Sequence, residues 1–350
     1  MSEPAGAERS SASPKLQVTS PKLQPGALSE LPLDHVRTLL AVVDEGTFDA
    51  AAAVLHVTPP AVSQRVKALE RRTGRVLLMR TKPVRPTESG QVVVRFARQL
   101  ARLERDARAE LGMSDAGEAA VLPVAVNADS LATWFLSALA RVPDEPRICF
   151  ELRREDEDHT TSLLREGSVM AAVTSSPDAV SGCTVRRLGR MRYLPVASPE
   201  FVARRLGDWP RVPLGDVLAD APVIFFDRRD CLQDDFARKV TGGRGASPLR
   251  HYVPSSRGFV EAIEAGLGWG VVPREQAEPL LRAGTLVLLD AERVVDVPLF
   301  WQQWKLDSPA LAALADAVMT TAATALDQCP RNHRTGDTGR TERAALASPV

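Results

Sequence analysis

The chain has 350 residues, 44% hydrophobic and 25% charged, with Lys+Arg and Asp+Glu balanced at 44 each. That length suits two to three domains, and the composition supplies real cores. No run of about 18 apolar residues occurs, and no basic patch followed by an apolar stretch opens the chain, so neither a membrane span nor a secretory leader is expected and the cytoplasm is the predicted location. The charge is unevenly placed. Residues 31–112 hold 14 basic against 9 acidic side chains, whereas 113–350 hold 27 against 32. A basic N-terminal unit on an acidic remainder points to a polyanion met by the first unit alone. Cys149, Cys183, Cys231 and Cys329 form no CxxC pair, so free thiols are expected rather than disulfides or a zinc site.

In chain order, residues 1–30 are rich in Ser, Pro, Ala and Gly without periodicity and are predicted to be a disordered extension. Leu33, Val36, Leu39, Leu40 and Val43 then make the apolar face of a helix that Gly46 ends. Thr47 can cap a second, Ala-rich helix over Phe48–Leu55, and His56-Val57 makes a tight connection. Thr58 caps a third helix, with Pro59 at its first position, that runs over Ala61–Arg72 and stops at Gly74. Val62, Val66 and Leu69 face inward, and Ser63, Gln64, Arg65 and Lys67 face outward. Two short helices, a tight turn and this outer face describe a helix-turn-helix. Gln64 and Arg65 suit purine edges, while Thr58, Pro59, Ser63 and Lys67 complete the DNA face. Two short strands, Val76–Met79 and Val84–Thr87, carry a basic tip that reads as a wing, with Arg80, Lys82 and Arg85 along the DNA backbone. A long helix follows to about Gly112. Its seam of Val93, Phe96, Leu100, Leu103, Ala107 and Leu111 predicts dimerisation and hence a near-palindromic operator.

After a flexible linker at Met113–Glu118 the pattern becomes strand–helix alternation. Strands are predicted at Val121–Val126, Ile148–Arg153, Val169–Val173, Arg192–Ala197, Val223–Phe226 and Trp269–Val272, and helices at Leu131–Ala140, Thr160–Arg165 and Phe259–Gly266. This is an α/β domain with a largely parallel sheet, whose ligands bind near the C-terminal ends of strands. The expected organisation is a 1–30 extension, a 31–90 winged helix-turn-helix, a 91–113 linker helix, a 119–327 effector-binding domain and a disordered 328–350 tail. No GxGxxG, P-loop, GxSxG or HExxH is present, and His159 and His251 lack metal-ligand spacing, so no enzyme, metal or cofactor is expected.

The N-terminal pattern resembles the LysR-type transcriptional regulators. It comprises Gly46-Thr47-Phe48, the Ala50–Ala53 run, Leu55, Val57-Thr58-Pro59, Ala61-Val62-Ser63-Gln64-Arg65, Leu69-Glu70, Gly74, Leu77-Leu78, Arg80 and Pro86-Thr87-Glu88-Ser89-Gly90. The second half is similar to their arginine/lysine-responsive branch, the ArgP/LysG-like regulators. Here the matching stretches are Val126–Trp134, Glu155-Asp156, Asp158-His159-Thr160, Gly167–Thr174, Phe226-Asp227, Pro254-Ser255-Ser256 and Gly266–Gly270. Pro60 departs from the pattern, standing where these regulators carry a small polar residue or Ala, and the 30-residue extension lies outside it.

The resemblance implies a periplasmic-binding-protein-like effector domain of two subdomains. It also implies a homodimer or homotetramer, an operator in double-stranded DNA, RNA polymerase as a partner, and control of a basic amino-acid exporter gene. On that reading Ser130 caps the helix after the first strand and holds the effector α-carboxylate, and Thr174 and Ser256 bond the same carboxylate or the α-ammonium. Asp129, Asp156, Asp158 and Asp227 are the candidate partners for the cation of lysine or arginine. The competing reading is an architectural DNA-binding protein whose second half only oligomerises.

Overall fold

The computed structural model describes residues 31–113, 119–145, 147–154 and 157–328. The expected 1–30 extension, most of the 113–118 linker and the tail beyond Gln328 lie outside them. The chain divides into two compact units between Gly90 and Gln91.

In the first unit α1 (Leu33–Glu45), α2 (Phe48–Val54) and α3 (Pro59–Thr73) pack on one another. Val36, Leu39 and Val42 of α1 are buried, with Ala51 and Ala52 of α2 and Val62, Val66 and Leu69 of α3. The apolar face of α1 is therefore centred on Val42 rather than Val43, and Leu33 lies outside the core. Gly46 turns the chain at φ 71°, Thr47 Oγ1 accepts from Ala50 N at 3.1 Å, and Gly74 closes α3 at φ 63°. Thr58 occupies the N-cap of α3 without a side-chain bond, and the helix starts at Pro59. Strands β1 (Leu78–Met79) and β2 (Arg85–Pro86) pair antiparallel as the expected wing. Val84 N donates to Gly46 O at 2.8 Å and Leu77 N to Glu70 Oε1 at 2.9 Å, fixing the wing to the helices.

Helix α4 (Glu88–Glu110) leads into the second unit. There β3 (Ala120–Val126) pairs parallel with β4 (Ile148–Arg154) and β5 (Ala171–Thr174). Helices α5 (Ala128–Ser130) and α6 (Leu136–Leu139) flank a π-helical turn at Leu131–Phe135, and α7 (Glu157–Glu166) links β4 to β5. Two long strands, β6 (Cys183–Ala197) and β11 (Val295–Trp304), form an antiparallel ribbon. The Phe300–Gln303 end of β11 pairs with β5, whereas the Tyr193–Ala197 end of β6 pairs with β9 (Gly270–Pro273) and β10 (Val287–Leu288). The ribbon thus serves one lobe at each end, giving the two subdomains. The second lobe adds α8 (Pro199–Arg205), α9 (Leu214–Leu218), α10 (Leu232–Thr241), α11 (Ser256–Glu264) and α12 (Arg274–Ala283). It also holds the parallel pair β7 (Val223–Phe225) and β8 (Arg250–Tyr252), while α13 (Pro309–Ala325) returns to α6, β3 and the π turn.

The sheet is not largely parallel. Both ribbon strands pair antiparallel with every neighbour. The physical reason is that continuous apolar runs mark strands buried on both faces, and β6 is not one. Its Arg186, Arg187, Arg190 and Arg192 break the run, and β11 alternates as Val-Asp-Val-Pro-Leu.

Candidate functional site

The outer face of α3 and the wing form one candidate surface. Gln64 and Lys67 are exposed, Ser63 is half-buried, and Thr58, Pro59, Arg80, Lys82 and Arg85 are exposed. Arg65 is different. Its guanidinium turns toward α1, with Nη1 3.4 Å from Thr38 Oγ1 and Nε 3.9 Å from Asp34 Oδ2. A shallow groove of about 470 Å³ runs between α3 and the wing, lined by Gln64, Lys67, Glu70, Arg71, Gly74, Arg75 and Val76. It adds Arg71 and Arg75 to the basic surface. Both continue the four-residue spacing from Lys67, beyond the Ser63–Lys67 face assigned to DNA from the sequence.

The second candidate lies between the lobes. Asp129, in the short helix after β3, accepts a hydrogen bond from Tyr193 Oη at 2.8 Å and another from Ser256. Burial pushes its carboxyl above the ordinary range despite these two bonds. Asp230, in the loop after β7, accepts from Phe226 N at 2.8 Å and Leu232 N at 3.0 Å. Burial raises its pKa too, and the nearby charges of Asp129 and Asp227 act in the same direction. Gln233 lines the same cavity, buried, with Oε1 lacking a hydrogen-bond partner among the described residues. Phe226, Ser256, Phe259, Val271, Pro273 and Gln276 complete a cavity of about 30 Å³ with these three groups. No lining residue is a cation. Two carboxylates and a free carbonyl oxygen form an acceptor-rich enclosure that calls for a donor bearing positive charge.

Of the sequence-predicted effector residues, Asp129 and Ser256 meet here. Ser256 is the first residue of α11, which Ser255 caps, and its Oγ lies 3.3 Å from Gln276 Oε1. Ser130 does not cap a helix, because the N-cap position falls to Asn127 three residues earlier. Ser130 is fully buried, and among the described residues both its Oγ and Asn127 Oδ1 have no hydrogen-bond partner. Thr174 ends β5 as expected, and its Oγ1 accepts from Ser176 N at 3.1 Å. Asp227 closes its own turn, accepting from Arg229 N at 2.7 Å and Asp230 N at 3.0 Å, and does not line the cavity. Asp158 lies in the first turn of α7, its side chain outside the description, and Asp156 is outside the described residues. Tyr193, Asp230 and Gln233 escaped the sequence reading. Among the described residues, no group of three or more His, Cys, Asp or Glu is placed to hold a metal, and no helix is long and apolar enough to cross a membrane.

Two family models match the chain: a bacterial regulatory helix-turn-helix protein of the lysR family over residues 33–91, and a LysR substrate binding domain over 115–323. A lysine export transcriptional regulatory protein, LysG, of Corynebacterium efficiens is 47% identical over 83% of this chain and 98% of its own. The transcriptional regulator ArgP of Pseudomonas aeruginosa is 38% identical over 82% of this chain and 95% of its own. Among solved structures, ArgP from Mycobacterium tuberculosis superposes with a TM-score of 0.78 at 44% identity, covering 84% of this chain and 98% of that one. Full-length LysG of Corynebacterium glutamicum with bound effector Arg gives 0.72 at 42% identity, covering 85% of this chain and all (100%) of that one.

Proposed function

Because the chain belongs to the LysR family of bacterial helix-turn-helix regulators, we propose that this DNA-binding transcription regulator answers to a basic amino acid, arginine or lysine, held between its lobes. The observation that carries the effector class is the enclosure of Asp129, Asp230 and Gln233, rich in acceptors and lined by no cation. A basic amino acid brings an α-ammonium and a cationic side chain, and each needs an anionic partner once desolvated. Asp129 and Asp230 supply charge, and Tyr193 and Ser256 orient Asp129. Buried Ser130 and Asn127, at the helix start after β3, supply unpartnered polar atoms on the first lobe for the rest of the ligand. The LysG relative solved with arginine, and the relatives named for lysine export, support this reading and an exporter gene as the target.

A cavity of about 30 Å³ is smaller than an amino acid, so the lobes part to admit one. The effector then shifts the balance between lobe geometries according to its different affinity for each. Thr58, Pro59, Ser63, Gln64 and Lys67 read the operator, Arg65 braces α3 against Thr38 and Asp34 of α1, and Arg80, Lys82 and Arg85 grip phosphates. The chain works as a regulator without turnover, on DNA in the cytoplasm, beside RNA polymerase. Isothermal titration calorimetry of the full chain with L-arginine, L-lysine, L-leucine and L-glutamate tests the effector class. Binding heat is expected with the two cations only, weakened about tenfold or more by Asp230→Asn. Absence of heat with both basic amino acids overturns the effector reading and favours an architectural DNA-binding role.

A further inference from the structure

The β6/β11 ribbon is irregular midway between its two ends. Its register shifts between Leu299 and Phe300, and the residue opposite Leu299 is Gly189, whose φ of 148° disfavours any side chain. Over this irregularity lies the segment that follows α13. Arg190 N donates to Asp327 O at 2.9 Å and Asp327 N to Arg190 O at 3.0 Å, while Gln328 Nε2 donates to Leu188 O at 3.0 Å. A Cβ at Gly189 would come within 2.8 Å of both Leu326 Cβ and Gln328 Nε2, so only a glycine here seats the segment.

Asp327 then reaches across. Arg274, the first residue of α12 in the second lobe, holds it bidentately at 2.7 and 3.4 Å, and Arg192 Nε lies 3.3 Å away. Arg192 also grips Asp296 with bonds of 2.9 and 3.1 Å, and Arg190 Nη1 lies 3.5 Å from the same carboxylate. The α13 helix that delivers Asp327 packs on α6, β3 and the π turn of the first lobe as well as on β6, whereas α12 packs on β6 and β9. The network's chain neighbours look the other way, into the cleft: Tyr193 holds Asp129, and Pro273 lines the cavity.

We propose that Leu326–Gln328 is a clasp across the hinge, in which Asp327 ties the first lobe's last helix to Arg274 of the second and so sets the angle to which the lobes close. The clasp acts on the cleft from behind, through residues that do not touch an effector. Its consequence for ligand affinity rests on the effector reading above; its consequence for lobe geometry does not.

The exposed Cys149 of the first lobe and Cys231 of the second allow a direct test, with Cys183 buried. Nitroxide labels at these two positions in full-length Cys329→Ser protein, diluted with unlabelled chain, report the lobe separation by double electron–electron resonance without effector. Asp327→Asn and, independently, Arg274→Gln broaden and lengthen the distance distribution, whereas Glu151→Gln, which removes an exposed pair within β4, leaves it unchanged. In calorimetry the two clasp variants, unlabelled, bind L-arginine about tenfold more weakly than wild type. A distance distribution in folded Asp327→Asn or Arg274→Gln that superposes on wild type overturns the clasp. Wild-type protein that binds neither L-arginine nor L-lysine overturns the effector reading instead, and the resonance experiment still decides the clasp.

Discussion

The residues that define the cleft have opposed demands placed on them. Asp129 is buried, and Asp230 is buried beside a second carboxylate, so both resist ionisation while no cation is near. An arriving ammonium or guanidinium group favours their charged forms and pulls the two pKa values down. Affinity therefore falls as pH drops through the raised values of the free protein, because each protonated carboxyl must lose its proton before it can pair. The stability of the free protein runs the other way. The penalty for ionising Asp129 begins above the unfolded value of 3.8 and is complete above the raised folded value. Asp129→Asn is accordingly expected to weaken arginine binding at neutral pH while leaving the effector-free melting temperature equal or higher, as differential scanning calorimetry would show. A lower melting temperature would mean that the carboxylate is structural. The sequence offers Asp227 and Asp230 within one five-residue run. Both accept backbone N–H groups, and only the fold shows that Asp230 lines the cavity and Asp227 does not.

At the scale of elements, the proposed function divides the work on DNA between α3 and the wing. Gln64 is exposed on α3, where side chains meet base edges, and Lys82 sits at the tip between β1 and β2, where they meet phosphates. Gln64→Ala should lose preference for the operator over unrelated duplex by about 1–3 kcal/mol. Lys82→Ala should weaken both duplexes alike and lower the salt slope by about one. Fluorescence anisotropy at several salt concentrations separates the two, and equal losses on both duplexes for Gln64→Ala would remove it from the reading face. Arg65 shows the limit of helical spacing as a guide. Its position faces outward by period, yet its guanidinium folds back to Asp34 and Thr38 of α1. Helix boundaries and caps were otherwise close to legible, because Gly46, Thr47, Pro59 and Gly74 carry strong local preferences. The helix after β3 was less so. Its start at Ala128 rather than Leu131 moves Ser130 from cap to interior.

For the whole molecule, α4 is the proposed basis for assembly. Phe96 and Leu103 are 40% and 44% exposed, at a seven-residue interval that keeps them on one side of the helix, and Leu111, 73% exposed, follows its last residue. Such a stripe matches the expected dimer seam, whereas Val93 of the same seam is already buried within the chain. Phe96→Glu combined with Leu103→Glu is expected to halve the solution mass measured by light scattering while leaving the circular dichroism of the helices in place. An unchanged mass would place the interface elsewhere.

What the sequence determined by itself was local: the three-helix unit and its wing, the basic face of α3, the long apolar-striped helix, and an acidic α/β half. Each of these follows from a periodicity or a capping preference that operates within a few residues. Only the tertiary structure decided the antiparallel ribbon shared by two lobes, the pairing of Asp129 with Asp230, and the anchoring of Asp327 and Gln328 against a hinge. Those features join residues separated by 53 to 140 positions, and nothing in a local pattern records which distant groups close a cavity or neutralise one another. The same distinction explains Gln328, which reads as the first residue of a polar tail and is held in the folded chain by carbonyl oxygens of Leu188, Ala322 and Leu326.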